Sequence, residues 1–145
     1  MKYEEFIGKV RNRARLSSSE QAEAATQATF ETLAERLKGN EVQHLAAQLP
    51  IELGNYLLTM NEGKGESFSL DEFFNRVSQR EGVSIVDADY HARVVLGLVA
   101  ETVTMGEIED VRAQLPPEFA HLFEVENEGE IPELGRIADV EEENP

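Results

Sequence analysis

Two Glu-x-x-His motifs carry the sharpest chemical signal in this 145-residue sequence: Glu41-Val-Gln-His44 and Glu118-Phe-Ala-His121. A spacing of three puts carboxylate and imidazole on one helix face. Helical proteins that hold two irons or manganeses use the spacing twice and add a single Glu from each of two further helices. Glu35 and Glu101, at matching places on two long predicted helices, complete such a set. Against it, the histidines fall at different places in the internal repeat described next, and both motifs lie on short helices near turns. The primary expectation is therefore no metal, no other cofactor and no catalytic residue, with a carboxylate-histidine metal protein of redox or storage type as the alternative. His91 follows Asp87 by one helical turn, the spacing of a carboxylate-oriented acid or base. The competing expectation is that Asp87 caps its helix and His91 is partly exposed. No Gly-x-Ser-x-Gly elbow or His-Glu-x-x-His helix is present.

The elements that must position these groups come in two copies. Residues 41–53 read EVQHLAAQLPIEL and residues 107–119 read EIEDVRAQLPPEF, an offset of about 66 residues. Phe30, Leu33, Ala34 and Leu37 fall on Leu96, Val99, Ala100 and Val103, and after a one-residue shift Tyr3, Phe6 and Val10 fall on Leu70, Phe73 and Val77. His44 then corresponds to Asp110, and His121 to Asn55. Self-similarity at such a period predicts an all-α bundle of two tandem helical repeats related by a pseudo-twofold. Repeat one spans about 3–60 and repeat two about 69–123, within a single domain of residues 1–123.

Apolar residues at three- and four-residue spacing predict a first helix through Tyr3, Phe6, Ile7 and Val10. Ser17 with Glu20 has the form of a capping box that opens a second helix, ending at Gly39. Short helices follow on either side of Pro50. NEGKGE, residues 61–66, joins the copies, and its glycines lack the spacing of a phosphate loop. Ser69 with Glu72 is another capping box, its helix stopping at Gly82, and Ser84–Thr104 is the second long helix. That helix is apolar nearly all round at Val94, Val95, Leu96, Leu98 and Val99, which makes it either the central helix or an oligomer contact. In the doubled Gln-Leu-Pro, Gln48, Pro50, Gln114 and Pro116 either frame a groove for a peptide or break helices, with the Gln side chains bonding freed backbone.

A net charge of −16 opposes binding to phosphate or anionic lipid, so neither nucleic acid nor membrane is expected as a partner. About half of that charge lies beyond Phe123, where residues 124–145 read as an acidic, mostly flexible tail with one short stripe over 131–140 that can dock. The basic cluster Lys9, Arg11, Arg13 and Arg15 closes the first helix, where cations complement the helix dipole. No cysteine, no signal-like apolar block and no run approaching the ~18 apolar residues of a membrane span together lead to an expectation of a soluble cytoplasmic protein.

The set Tyr3-Glu-Glu-Phe6, Thr32-Leu-Ala-Glu-Arg-Leu37, Ala47-Gln-Leu-Pro50, Leu70-Asp-Glu-Phe73 and Gly106-Glu-Ile-Glu-Asp-Val-Arg-Ala-Gln-Leu-Pro116 resembles the prokaryotic domain of unknown function 2267 family over roughly residues 3–123. The resemblance implies an all-helical fold with two related halves and brings no assigned reaction, cofactor or catalytic residue. The functional expectation is a non-catalytic interaction module. It either self-associates through Val95 and Leu98, as a homodimer, or offers Gln48, Pro50, Gln114 and Pro116 to a protein partner.

Overall fold

A computed structural model describes residues 1–60 and 63–124; the start of the connector and the acidic tail, including the 131–140 stripe, lie outside the described residues. Seven α-helices and a closing 3-10 helix follow in order: α1 Tyr3–Arg13, α2 Ser19–Arg36, α3 Glu41–Ala46, α4 Ile51–Met60, α5 Leu70–Glu81, α6 Ile85–Thr102, α7 Met105–Ala113, and the 3-10 helix Pro117–Phe123. No strand occurs among the described residues, where Lys38 and Lys64 meet in one isolated antiparallel bridge.

Side chains at the helix starts set most boundaries. Ser69, Ser84 and Thr104 each accept a hydrogen bond from the amide three residues on, at 3.1, 3.1 and 3.2 Å, satisfying one orphan donor of α5, α6 and α7. The predicted box at Ser17 and Glu20 is displaced by one residue. Ser18 is the cap, bonded to Gln21 N, and the Gln21 side chain reaches back to Ser17 N at 2.9 Å. A glutamine serves here as well as a glutamate because an amide oxygen also accepts from backbone. Gly82 closes α5 in the left-handed region at φ 79, a conformation that costs glycine nothing. Helix α2 ends at Arg36, short of the expected Gly39, and Leu37 leaves in extended conformation.

The core follows the duplicated apolar positions. Phe6 and Phe73 are both fully buried, as are Leu33 with Val99 and Leu53 with Phe119; Leu49 is buried and Leu115 partly so. Phe6 packs edge-to-face on Phe30 at 6.1 Å, and Phe73 on Phe119 at 5.8 Å. Helices α2 and α6 form the centre: α2 packs against α1, α4, α5 and α6, while α6 packs against α1, α2, α5 and the 3-10 helix. Val95 and Leu98 have no exposed surface. The apolar girth of α6 at these two residues is covered by other helices of the same chain. No described helix is long and apolar enough to cross a membrane.

Candidate functional site

The short helices α3 and α7 pack against each other and bring Glu41, His44 and Glu107 together. One ligand-type atom from each lies within 4.8 Å of the other two. Glu107 is 6% exposed, and its Oε2 is buried without a hydrogen-bond partner among the described residues. Glu41 is partly buried, its Oε2 likewise unpartnered. His44 is exposed at the rim, as is Asp110 on the α7 side. Burial foremost, then the hydrogen bond and charge of Glu41 and the charge of Asp110, push the Glu107 carboxyl up to about 8. Two carboxylates this close cannot both ionise cheaply, and either a proton or a cation must stand between them.

The local chain explains why Glu107 faces this way. It lies three residues after the Thr104 cap, the place from which a capping-box glutamate turns back to the amide of the cap residue. That amide is already taken: Thr104 N donates to Gln48 Oε1 at 2.8 Å. The Glu107 carboxylate is released from capping and points into the α3/α7 seam.

The other members of the six-residue metal set lie elsewhere. Glu35 accepts from Arg80 at 2.7 and 3.0 Å and from Arg76 at 3.0 Å. Glu101 accepts from both terminal nitrogens of Arg13 at 2.7 and 3.2 Å. Glu118 accepts from Leu70 N at 3.3 Å, and exposed His121 pairs with Glu124 at 3.3 Å. Of the predicted set, Glu41 and His44 stay together, and Glu107, which sequence reasoning does not single out, joins them.

The doubled Gln-Leu-Pro also differs from expectation in its partners. Gln48 bonds Thr104 N, and Gln114 bonds Lys38 N at 2.8 Å and Lys38 O at 3.3 Å. Each glutamine thus ties its helix end to the opposite half rather than to the break beside it. Pro50 and Pro116 start the next helical segments, their carbonyls accepting from Leu53 and Gly54, and from Phe119. Pro116 lines a cleft of about 350 Å³ with Arg112, Leu115, Pro117, Phe119 and Ala120.

A second titratable cluster occupies the opposite turns. His91 is buried, 6% exposed, and its Nδ1 lies 2.5 Å from Glu81 Oε2, beside a cavity of about 380 Å³ that Arg15, Leu16, Val83 and Asp87 also line. The expected partner Asp87 does not cap α6, since Ser84 does, and His91 is not partly exposed. The αL turn at Gly82 folds the end of α5 onto α6, so a residue ten positions earlier reaches the imidazole.

Comparison with known sequences gives a family and is silent on chemistry. No curated protein matches the chain. The profile of one family matches residues 3–122, and the chain therefore belongs to the family described as uncharacterized conserved protein (DUF2267).

Proposed function

We propose that the chain is a non-catalytic helical interaction module built from two copies of one four-helix unit related by a pseudo-twofold. The observation that carries the two-copy reading is reciprocity. Arg13 pairs with Glu101 across the halves, and their counterparts Arg80 and Glu35 pair likewise. Gln48 bonds the amide of Thr104, while its counterpart Gln114 bonds that of Lys38, about 66 residues before Thr104. A residue on the axis meets its own copy, as Glu41 meets Glu107. Glu35, Glu101, Gln48 and Gln114 are thus engaged in ties between the halves, which supports a scaffold more than an enzyme.

Its partner surface is the cleft at Pro116 and Pro117, apolar at Phe119 and Ala120 with Arg112 at the edge. Such a cleft suits a short apolar protein segment carrying a carboxylate. Selection of displayed peptides on the intact chain tests this: binders are expected, and Ala120→Trp, which fills the cleft, is expected to abolish them. Binders indifferent to Ala120→Trp, or turnover of ester, phosphoester or peroxide substrates by the intact chain, would count against the reading.

A second reading, a carboxylate-histidine metal protein, is favoured by one observation, the convergence of Glu41, His44 and Glu107 in the seam.

A further inference from the structure

We propose that Glu41, His44 and Glu107 form a mononuclear site for a divalent first-row transition ion that clips α3 to α7. The proposal rests on the metal reading and replaces its two-metal geometry with one ion.

The acid pair must hold a proton or a cation, and the geometry suits a cation. Glu107 is more than nine-tenths buried with an unpartnered oxygen, Glu41 opposes it with another, and the side-chain charges acting on Glu107 come from Glu41 and Asp110, both negative. Other acids have a basic partner: partly buried Glu35 has Arg76 and Arg80, and Glu81 has the His91 imidazole. Here the third member of the group is His44, whose imidazole nitrogen has a lone pair to give to a metal.

The spacing is suitable. Ligand atoms about 2.1 Å from a tetrahedral ion sit roughly 3.4 Å from one another. The three atoms here lie within 4.8 Å, so closing the set asks for up to about 1.4 Å of side-chain movement. His44, exposed at the rim, is free to supply it and leaves a route for the ion. The anchor is firmer: Gln48 occupies the amide that would otherwise draw the Glu107 carboxylate away. One imidazole with two carboxylates selects zinc, manganese, iron or cobalt over magnesium and calcium, which favour all-oxygen shells of six or more ligands. The ion would join the first copy to the second, locking the seam.

The test is titration of the chelator-stripped full chain with zinc and with cobalt, read by calorimetry, cobalt absorption and melting temperature. One equivalent per chain, an intense tetrahedral cobalt spectrum and a melting point raised by zinc are expected. Glu107→Gln, nearly isosteric, and His44→Ala should each weaken binding at least about 100-fold, while His121→Ala, on the other Glu-x-x-His, leaves it unchanged. Melting curves show whether each variant is folded. Saturable binding that ignores Glu107→Gln overturns the proposal, as does equal binding of magnesium. Two equivalents that require His121 overturn it while sustaining the two-metal reading, and no binding of zinc or cobalt overturns both.

Discussion

The Arg80–Glu35 tie and the Glu41/Glu107 seam sit in the same molecule under the same proposed symmetry and end in opposite electrostatic states. When a duplicated Arg and a duplicated Glu cross between the copies, the operation yields two salt bridges, Arg13–Glu101 and Arg80–Glu35. When one duplicated Glu lies on the axis, the operation can only bring it to itself. Like charge meets like charge, with Oε2 of each unpartnered. Under the proposed symmetry, charge would be compensated away from the axis and concentrated on it, and an acid pair that must share a proton or take up a cation would follow from duplication alone. Divergence is the other escape. At the opposite turns, Glu81 aligns with Ala14 and His91 with Ala25, so only one copy supplies an acid and it meets an imidazole.

Neutralising the axial acid is the largest expected effect. In the metal-free protein, Glu107→Gln should raise stability at pH 8 by about 2–4 kcal/mol, because an amide can donate to the free oxygen of Glu41 where a carboxylate repels it. The folded carboxyl binds its proton up to about 8, against about 4.3 in the unfolded chain, so between these values the folded state holds more protons. Stability contributed by that proton is full below the lower value and lost as pH rises through the upper one. The advantage of the variant should vanish near pH 4.5 and level off above pH 8, as melting followed by circular dichroism would report. Equal melting of both proteins across that range would mean that the seam is already neutral.

Removing the compensated acid should act in the reverse sense. Burial alone would push the Glu35 carboxyl up, but the hydrogen bonds and charges of Arg80 and Arg76 outweigh it and hold the carboxyl below its ordinary value. Glu35→Ala should cost about 2–3 kcal/mol at neutral pH, since two arginines lose a partner that is 18% exposed. A depressed carboxyl contributes stability that is lost as pH falls through the folded value, so wild type and variant should converge in acid, below the ordinary carboxylate range. Denaturant unfolding at pH 7 and pH 3 makes the check. Glu101→Ala, with one arginine and 24% exposure, should cost only about 1 kcal/mol. A larger loss at Glu101 than at Glu35 would reverse the ranking that partner number and burial give.

How much of this could be read beforehand depends on sequence distance. Local signals served well: apolar spacing marked the helices, Ser69 and Gly82 bounded α5, and Pro50 and Pro116 opened new segments. The Ser17 box slipped by one residue because neighbouring serines compete for one cap and a glutamine took the place of the expected glutamate. Of the site, Glu41 and His44 were visible as a motif, yet Glu107 was passed over although it opens the second copy of the same segment. Its significance lies in the packing of α3 on α7, a contact between halves that helical periodicity does not encode. Glu35 and Glu101 enter the alternative metal set on matching position alone, and in the structure they accept from Arg80 and Arg13 instead. Burial of His91 also depended on a fold-back at Gly82 that an i to i+4 rule cannot anticipate.

The smallest expected effect separates the two glutamines. Gln114→Ala removes bonds to Lys38 N and O and should cost about 1 kcal/mol at any pH from 5 to 8, because Glu41 is the first residue of its helix and cannot turn back to cap it. Gln48→Ala removes one bond to Thr104 N and should cost a similar amount at pH 5, where Glu107 holds its proton. At pH 8 the outcome changes. The freed Thr104 amide lies three residues before Glu107, in capping-box register, and offers an ionised carboxylate a donor away from Glu41. The loss at Gln48 should therefore shrink toward zero as pH rises from 5 to 8, and the rise should disappear in the Gln48→Ala, Glu107→Gln double variant, which has no carboxylate to turn. A pH-independent loss at Gln48 would show that Glu107 is held in the seam by packing rather than by the glutamine that occupies its cap.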